Sequence, residues 1–184
     1  MSTPTRWTSA DLELLPDDGT RYEIIDGELF MSTQPHVNHQ IVCFEVCFEL
    51  GQWNRQKRMG KVIIGPGLIF ADDDDVAPDA VWISNERLAI ALEQDGKLHS
   101  APELVIEVLS PGTSNEKRDR EIKLKLYSRR GVSEYWILDW RTRQAEVYRR
   151  DSAQLQLAAT LYESDLLESP LLPGFSVAVA SLMP

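Results

Sequence analysis

With 184 residues, 43% of them hydrophobic and 26% charged, the chain has material for one sizeable core and does not read as disordered. Its net charge of −10 argues against a protein that grips nucleic acid through a broad basic footprint. No apolar run approaches the roughly 20 residues that span a bilayer, so no membrane association is expected.

Met1–Gly19 lacks the apolar centre of a secretory signal. One domain over residues 1–184, in the reducing cytoplasm, is the expectation. Arg21–Met31 (RYEIIDGELFM) reads as a β-hairpin, because apolar residues flank an Asp26-Gly27 turn. From His36 to about Trp53 the residues Val37, Ile41, Phe44 and Phe48 recur at intervals of three and four, the mark of an amphipathic helix. Cys43 and Cys47 lie on that helix and, with no further cysteine to join them, read as two buried free thiols rather than a zinc site.

Lys61–Phe70 is strand-like on both sides of a Gly-Pro-Gly break. Asp72–Asp75 lacks the spacing of a calcium-binding EF-hand loop and reads as an exposed turn whose like charges point to solvent. A short strand, Ala77–Ile83, and a short helix, 85–92, follow. Leu104–Leu109 (LVIEVL) is a nearly continuous apolar run, as in a strand buried on both faces. Asn115–Arg130 reads as a charged helix that stops at Gly131. Glu134–Asp139, Gln144–Arg149 and Leu155–Thr160 read as strands, and Pro173-Gly174 opens the closing segment. The order argues for an α/β or α+β domain with a mixed sheet flanked by helices.

The acidity is uneven. Thr113–Arg150 holds 11 Lys and Arg against 6 Asp and Glu, and Arg55, Lys57, Arg58 and Lys61 form a second basic cluster. Basic segments beside an acidic metal site would suit a phosphodiester substrate, although solvated helix faces would look the same.

Glu107 stands where a core strand would carry Val or Ile, and a buried carboxylate needs a cation or donors. A structural ion pair would satisfy it. So would a shared divalent ion if Asp79, just before the apolar AVWI, lies on a neighbouring strand. Two such carboxylates within about 4–6 Å repel unless a cation neutralises them, and oxygen donors suit magnesium or manganese. Asp119, Lys123 and Tyr127 follow at i, i+4 intervals and share a helical stripe. That stripe is either a surface ion pair or a lysine aimed back at Glu107.

The blocks YEIIDGEL (22–29), PHVNH (35–39), APDAVWI (77–83), PELVIEVLSPGT (102–113), DREIKLKLY (119–127) and GVSEYWILD (131–139) resemble, in order, the Uma2 family of restriction endonucleases in the PD-(D/E)XK superfamily. The resemblance covers about residues 21–150, and LLPGF (171–175) is similar to the family's tail. It implies a restriction-endonuclease-like core and a divalent-metal-dependent endonuclease that hydrolyses phosphodiester bonds in DNA. Asp79 and Glu107 would hold Mg2+ or Mn2+ and act in catalysis with Lys123. The lysine that usually follows the second acid by two residues is Leu109 here; its role would pass to Lys123 on the next helix, or to Lys125, about 200° around it. Glu28, or alternatively Glu23, would support the site, and His39 matches a family helix histidine; His36 and His99 have no counterpart. A homodimer would suit cleavage of two strands, although Trp53, Trp82, Trp136 and Trp140 could equally serve the core. The competing reading is a catalytically weak nucleic-acid- or protein-binding module on the same fold.

Overall fold

The computed structural model describes residues 5–184; of the Met1–Gly19 stretch, residues 1–4 lie outside the described residues. After a short helix α1 (Ser9–Leu12), the hairpin forms where the Asp26-Gly27 signal predicts it, as β1 (Arg21–Ile25) and β2 (Glu28–Ser32). Both turn residues have positive φ, 54° and 77°, which Asp tolerates and Gly adopts without strain. The long helix α2 (Val37–Lys57) follows, then β3 (Gly60–Ile64), β4 (Leu68–Ala71), β5 (Asp74–Val76) and β6 (Ala80–Ser84). Helix α3 (Asn85–Ala91) leads towards β7 (Leu104–Val108). A helical passage then runs through α4 (Thr113–Lys117), a π-helical stretch Arg118–Lys123 and α5 (Leu124–Arg130). The chain closes with β8 (Glu134–Asp139), β9 (Gln144–Asp151), β10 (Gln154–Leu161), β11 (Leu166–Glu168), β12 (Ser176–Ala178) and α6 (Val179–Leu182).

Six strands form the main sheet in the order β10-β9-β8-β7-β6-β3. Its neighbours are antiparallel except β7 and β8, which run parallel. A parallel pair needs a crossover, and the passage 113–130 provides it. Every residue of β7 and β8 is buried, as the LVIEVL run predicts. Alternate side chains enter two cores. Leu104, Ile106 and Trp136 meet Val42, Val46 and Leu50 of α2 in one. Val105, Tyr135 and Ile137 meet Leu126 and Tyr127 of α5 in the other. The hairpin belongs to a separate four-stranded sheet, β2-β1-β5-β4. The fold is thus a mixed sheet flanked by helices, with an N-terminal hairpin. No helix among the described residues is long and apolar enough to cross a membrane.

The break in residues 61–70 falls where the sequence sets it: Gly65-Pro66-Gly67 separates β3 from β4, which lie in different sheets. Three expectations change. The stripe Val37, Ile41, Phe44 and Phe48 is the exposed face of α2. The buried face carries His39, Val42, Cys43, Val46, Cys47, Leu50 and Trp53. Because α2 is apolar on both faces, periodicity identifies the helix but not its inward side. The Asp72–Asp75 run is only partly a solvated turn, for Asp74 and Asp75 form β5 and are buried. Arg129 and Arg130 neutralise Asp74. Finally, the charged helix expected over 115–130 is not α-helical throughout: it contains the π-helical stretch, whose i→i+5 bonding widens one turn.

Candidate active site

The antiparallel register of β6 and β7 pairs Ala80 with Ile106, and one further step sets Asp79 opposite Glu107. Asp79 Oδ2 accepts a hydrogen bond from the backbone N–H of Val108 at 2.9 Å, which ties the end of β6 to β7. Asp79 and Glu107 are both buried and line one cavity of about 220 Å3.

Glu107 Oε1 accepts hydrogen bonds from Lys123 Nζ and from the Tyr127 hydroxyl, each at 2.9 Å. Glu107 Oε2 accepts none from the described residues. The same Lys123 ammonium lies 2.9 Å from Glu23 Oε1 and 4.0 Å from Asp119 Oδ1. Lys125, by contrast, is exposed. In a straight α-helix residues four apart drift by about 40°, so Asp119 and Tyr127 would diverge by about 80°. The wide π turn between them works against that drift, and Asp119, Lys123 and Tyr127 all end buried against Glu107's side of the sheet.

The wall also contains residues that sequence reading missed. Arg21 donates to Asp79 Oδ1 at 3.1 Å. Arg118 donates to Ser32 Oγ at 2.8 Å and lies 3.4 Å from Asp119. Glu23, the second choice as supporting acid, is buried and also accepts from the N–H of Ala77. Glu28 is exposed and does not line the cavity, a correction with a simple cause: it begins β2 beside the tight turn, where the hairpin end meets solvent. A usable signal for Glu23 was present. It interrupts the apolar YEII as Glu107 interrupts VIEVL, and it shares a strand face with Arg21. Arg118 has no comparable signal.

Four carboxylates (Glu23, Asp79, Glu107, Asp119) thus meet three fixed cations (Arg21, Arg118, Lys123). Burial pushes Glu107 above the usual carboxylate range, and Asp79, Asp119 and Glu23 add to this against the opposing pull of Lys123. Burial would also raise Asp79, but the His39 hydrogen bond and charge and the Val108 N–H hold it below the usual range. Lys123 is held charged: burial opposes its proton, yet Glu107, Glu23 and Asp119 overcome that cost. Two adjacent carboxylates with opposite shifts are an arrangement typical of functional sites.

His39 reaches the cavity from the first turns of α2. Its Nε2 lies 3.2 Å from Asp79 Oδ2 and its Nδ1 3.5 Å from Cys43 Sγ. The donor atoms of His39, Cys43 and Asp79 all lie within 4.8 Å of one another. The imidazole nevertheless stands between thiol and carboxylate, presenting a different nitrogen to each, which does not suit a single ion. Burial also raises the Cys43 thiol well above its ordinary value and that of Cys47 to about 11, so neither supplies a thiolate at neutral pH. The donor set that fits a cation is the oxygen pair: Asp79 already takes a cationic partner in Arg21, and Glu107 has a free oxygen.

Comparison with known proteins gives a consistent picture. A family model described as "Uma2: Putative restriction endonuclease" matches residues 9–180. Among solved structures, a "putative nuclease belonging to DUF820" from Anabaena variabilis superimposes with a TM-score of 0.76 at 20% identity, covering 95% of this chain and 96% of that one. The type IIG restriction endonuclease BpuSI aligns over 78% of this chain and 14% of its own, at 15% identity and a TM-score of 0.40, too loose to establish a shared architecture. No curated protein matches the sequence.

Proposed function

The chain belongs to the Uma2 family, and from that membership we propose that it is a divalent-metal-dependent endonuclease acting on phosphodiester bonds in DNA. The observation that carries this reading is the pair Asp79, just before β6, and Glu107 of the adjacent β7, which line one cavity with a buried lysine on Glu107. Asp79 and the free oxygen of Glu107 would hold Mg2+ or Mn2+. When bound, such an ion polarises the phosphate and makes water a better nucleophile. Lys123, kept protonated by its three acids, offsets negative charge developing on the phosphoryl oxygens. Its two 2.9 Å contacts to Glu107 and Glu23 hold the ammonium in place before substrate arrives. His39 orients Asp79 through Nε2, and Tyr127 orients Glu107 through its hydroxyl.

The near balance of four acids by three internal cations favours a second reading, in which the same groups serve mainly the fold of a catalytically weak nucleic-acid- or protein-binding module. Nicking of supercoiled plasmid in manganese, with and without chelator, decides between them. Metal-dependent nicking that disappears with chelator and in Glu107→Gln is expected. Absence of cleavage of both plasmid and single-stranded DNA by the wild type under all divalent metals would leave the binding module.

A further inference from the structure

A second groove, of about 440 Å3, opens beside the acid cavity. It is walled in part by Met31, His36 and Asn115, and it shares Ser32, Thr33, Ser110 and Arg118 with that cavity. The two differ in charge. Four carboxylates line the inner cavity, whereas none lines the groove. The guanidinium of Arg118 stands where they meet, fixed by its bond to Ser32 and its contact with Asp119.

The groove also contains an anchored aromatic surface. The His36 imidazole is stacked on the indole of Trp140, with centroids 4.8 Å apart and planes 18° from parallel. Trp140 packs against the core of the main sheet. His36 caps α2, its Nδ1 accepting from the N–H of Asn38 at 3.1 Å. The ring is held on one face by Trp140 and at its Nδ1 edge by Asn38, and the residue remains exposed.

We propose that this groove takes an unpaired nucleobase of the substrate strand, stacked on His36, with the adjoining phosphate on Arg118. The proposal rests on the nuclease reading above and adds to it the substrate class, a strand with accessible bases. A chain with a net charge of −10 has little electrostatic grip on a duplex. Stacking requires no such charge, because every base offers a π-face to an aromatic side chain. The groove's volume falls within the range of sites for small organic ligands.

The test is fluorescence anisotropy in calcium with a labelled single-stranded oligodeoxynucleotide and a duplex of equal length, using wild type, His36→Ala and His36→Phe. Both variants lose the helix cap, but only Phe keeps a ring. Wild type is expected to prefer the single strand. His36→Ala should weaken that binding by about tenfold, His36→Phe should restore most of it, and the salt dependence should be the same in all three because stacking releases no counterions. Three results overturn the proposal: no single-strand binding by wild type, an equal loss on duplex, or a Phe variant as weak as Ala. Manganese-dependent melting, and cleavage of plasmid and of single-stranded DNA by the wild type, report separately on the nuclease reading. If these fail while the stacking pattern holds, the groove stands and the nuclease assignment falls.

Discussion

Asp74 and Glu107 are both buried acids that meet cations from the same helical passage, yet their surroundings differ. Asp74 accepts from Arg129 at 2.8 and 2.7 Å, from Arg130 Nε at 3.1 Å and from the backbone N–H of Asp26 at 2.9 Å. Burial pushes its carboxyl upwards, but these donors bring it below the ordinary range. There Arg129 and Arg130 both serve Asp74, Arg129 reaching Asp26 as well, and together they lock the small sheet to the end of α5. Around Glu107 the acids outnumber the cations: Lys123 is shared by Glu107, Glu23 and Asp119, the whole cavity sets four acids against Arg21, Arg118 and Lys123, and Glu107 is pushed upwards. A buried acid is therefore not in itself a sign of chemistry. An excess of acids over cations is the more telling feature, because it leaves room for a further positive charge.

Removing a cation should separate the two regions most sharply. Lys123→Met leaves three buried acids without their shared partner, and it should cost about 3–5 kcal/mol in denaturant unfolding at neutral pH. A loss below about 1 kcal/mol would mean that the acids are already neutral and that there is no charge excess. The next effect is metal binding. Manganese at a hundred times its dissociation constant should stabilise wild type by about 2.7 kcal/mol. Glu107→Gln should abolish that gain while leaving the metal-free protein as stable or more so. A strongly destabilised Glu107→Gln protein, beside a wild type indifferent to manganese, would make Glu107 as structural as Asp74.

Asp74→Asn should cost about 2 kcal/mol through lost charge-assisted bonds, less than the lysine because both arginines are partly exposed and can rehydrate. Its manganese response should match wild type; a changed response would couple the two regions. The smallest effect is in pH dependence, where the signs are opposite. Glu107's folded value is raised, so its stabilising contribution is complete below about pH 4.3, the unfolded value, and is lost as pH rises towards neutrality. Asp74's is lowered, so its contribution is present above about pH 3.9 and is lost as pH falls. The melting-temperature advantage of Glu107→Gln over wild type should thus grow from pH 5 to 8, whereas Asp74→Asn should show a flatter acid limb. An advantage that does not vary with pH would show Glu107 to be ionised throughout.

Much of the architecture was legible because local rules sufficed. Asp26-Gly27 marked the hairpin by its tolerance of positive φ, and LVIEVL marked the central strand because only a strand covered on both faces is apolar at every position. Glu107 and Asp79 stood out as charges at or beside such runs, where burial without a partner is too costly to be incidental. The blocks resembling the Uma2 family identified the fold for the same reason: a family pattern records which local choices a core tolerates.

Other features depend on contacts between distant segments. Which face of α2 turns inward was undetermined locally because both faces are apolar, and the main sheet decided it. Asp74 and Asp75 read as a solvated run, since the arginines that neutralise Asp74 come from more than fifty residues away. The meeting of Glu23, Asp79, Glu107 and Lys123 required a strand register, a separate sheet and a widened helical turn to act together. The sequence by itself determined the elements, the family and the two unusual acids, because period, turn chemistry and the cost of burying charge operate within a few residues. Only the tertiary structure decided which charges face one another, since the energy of a buried charge depends on its partners in space rather than on its neighbours along the chain.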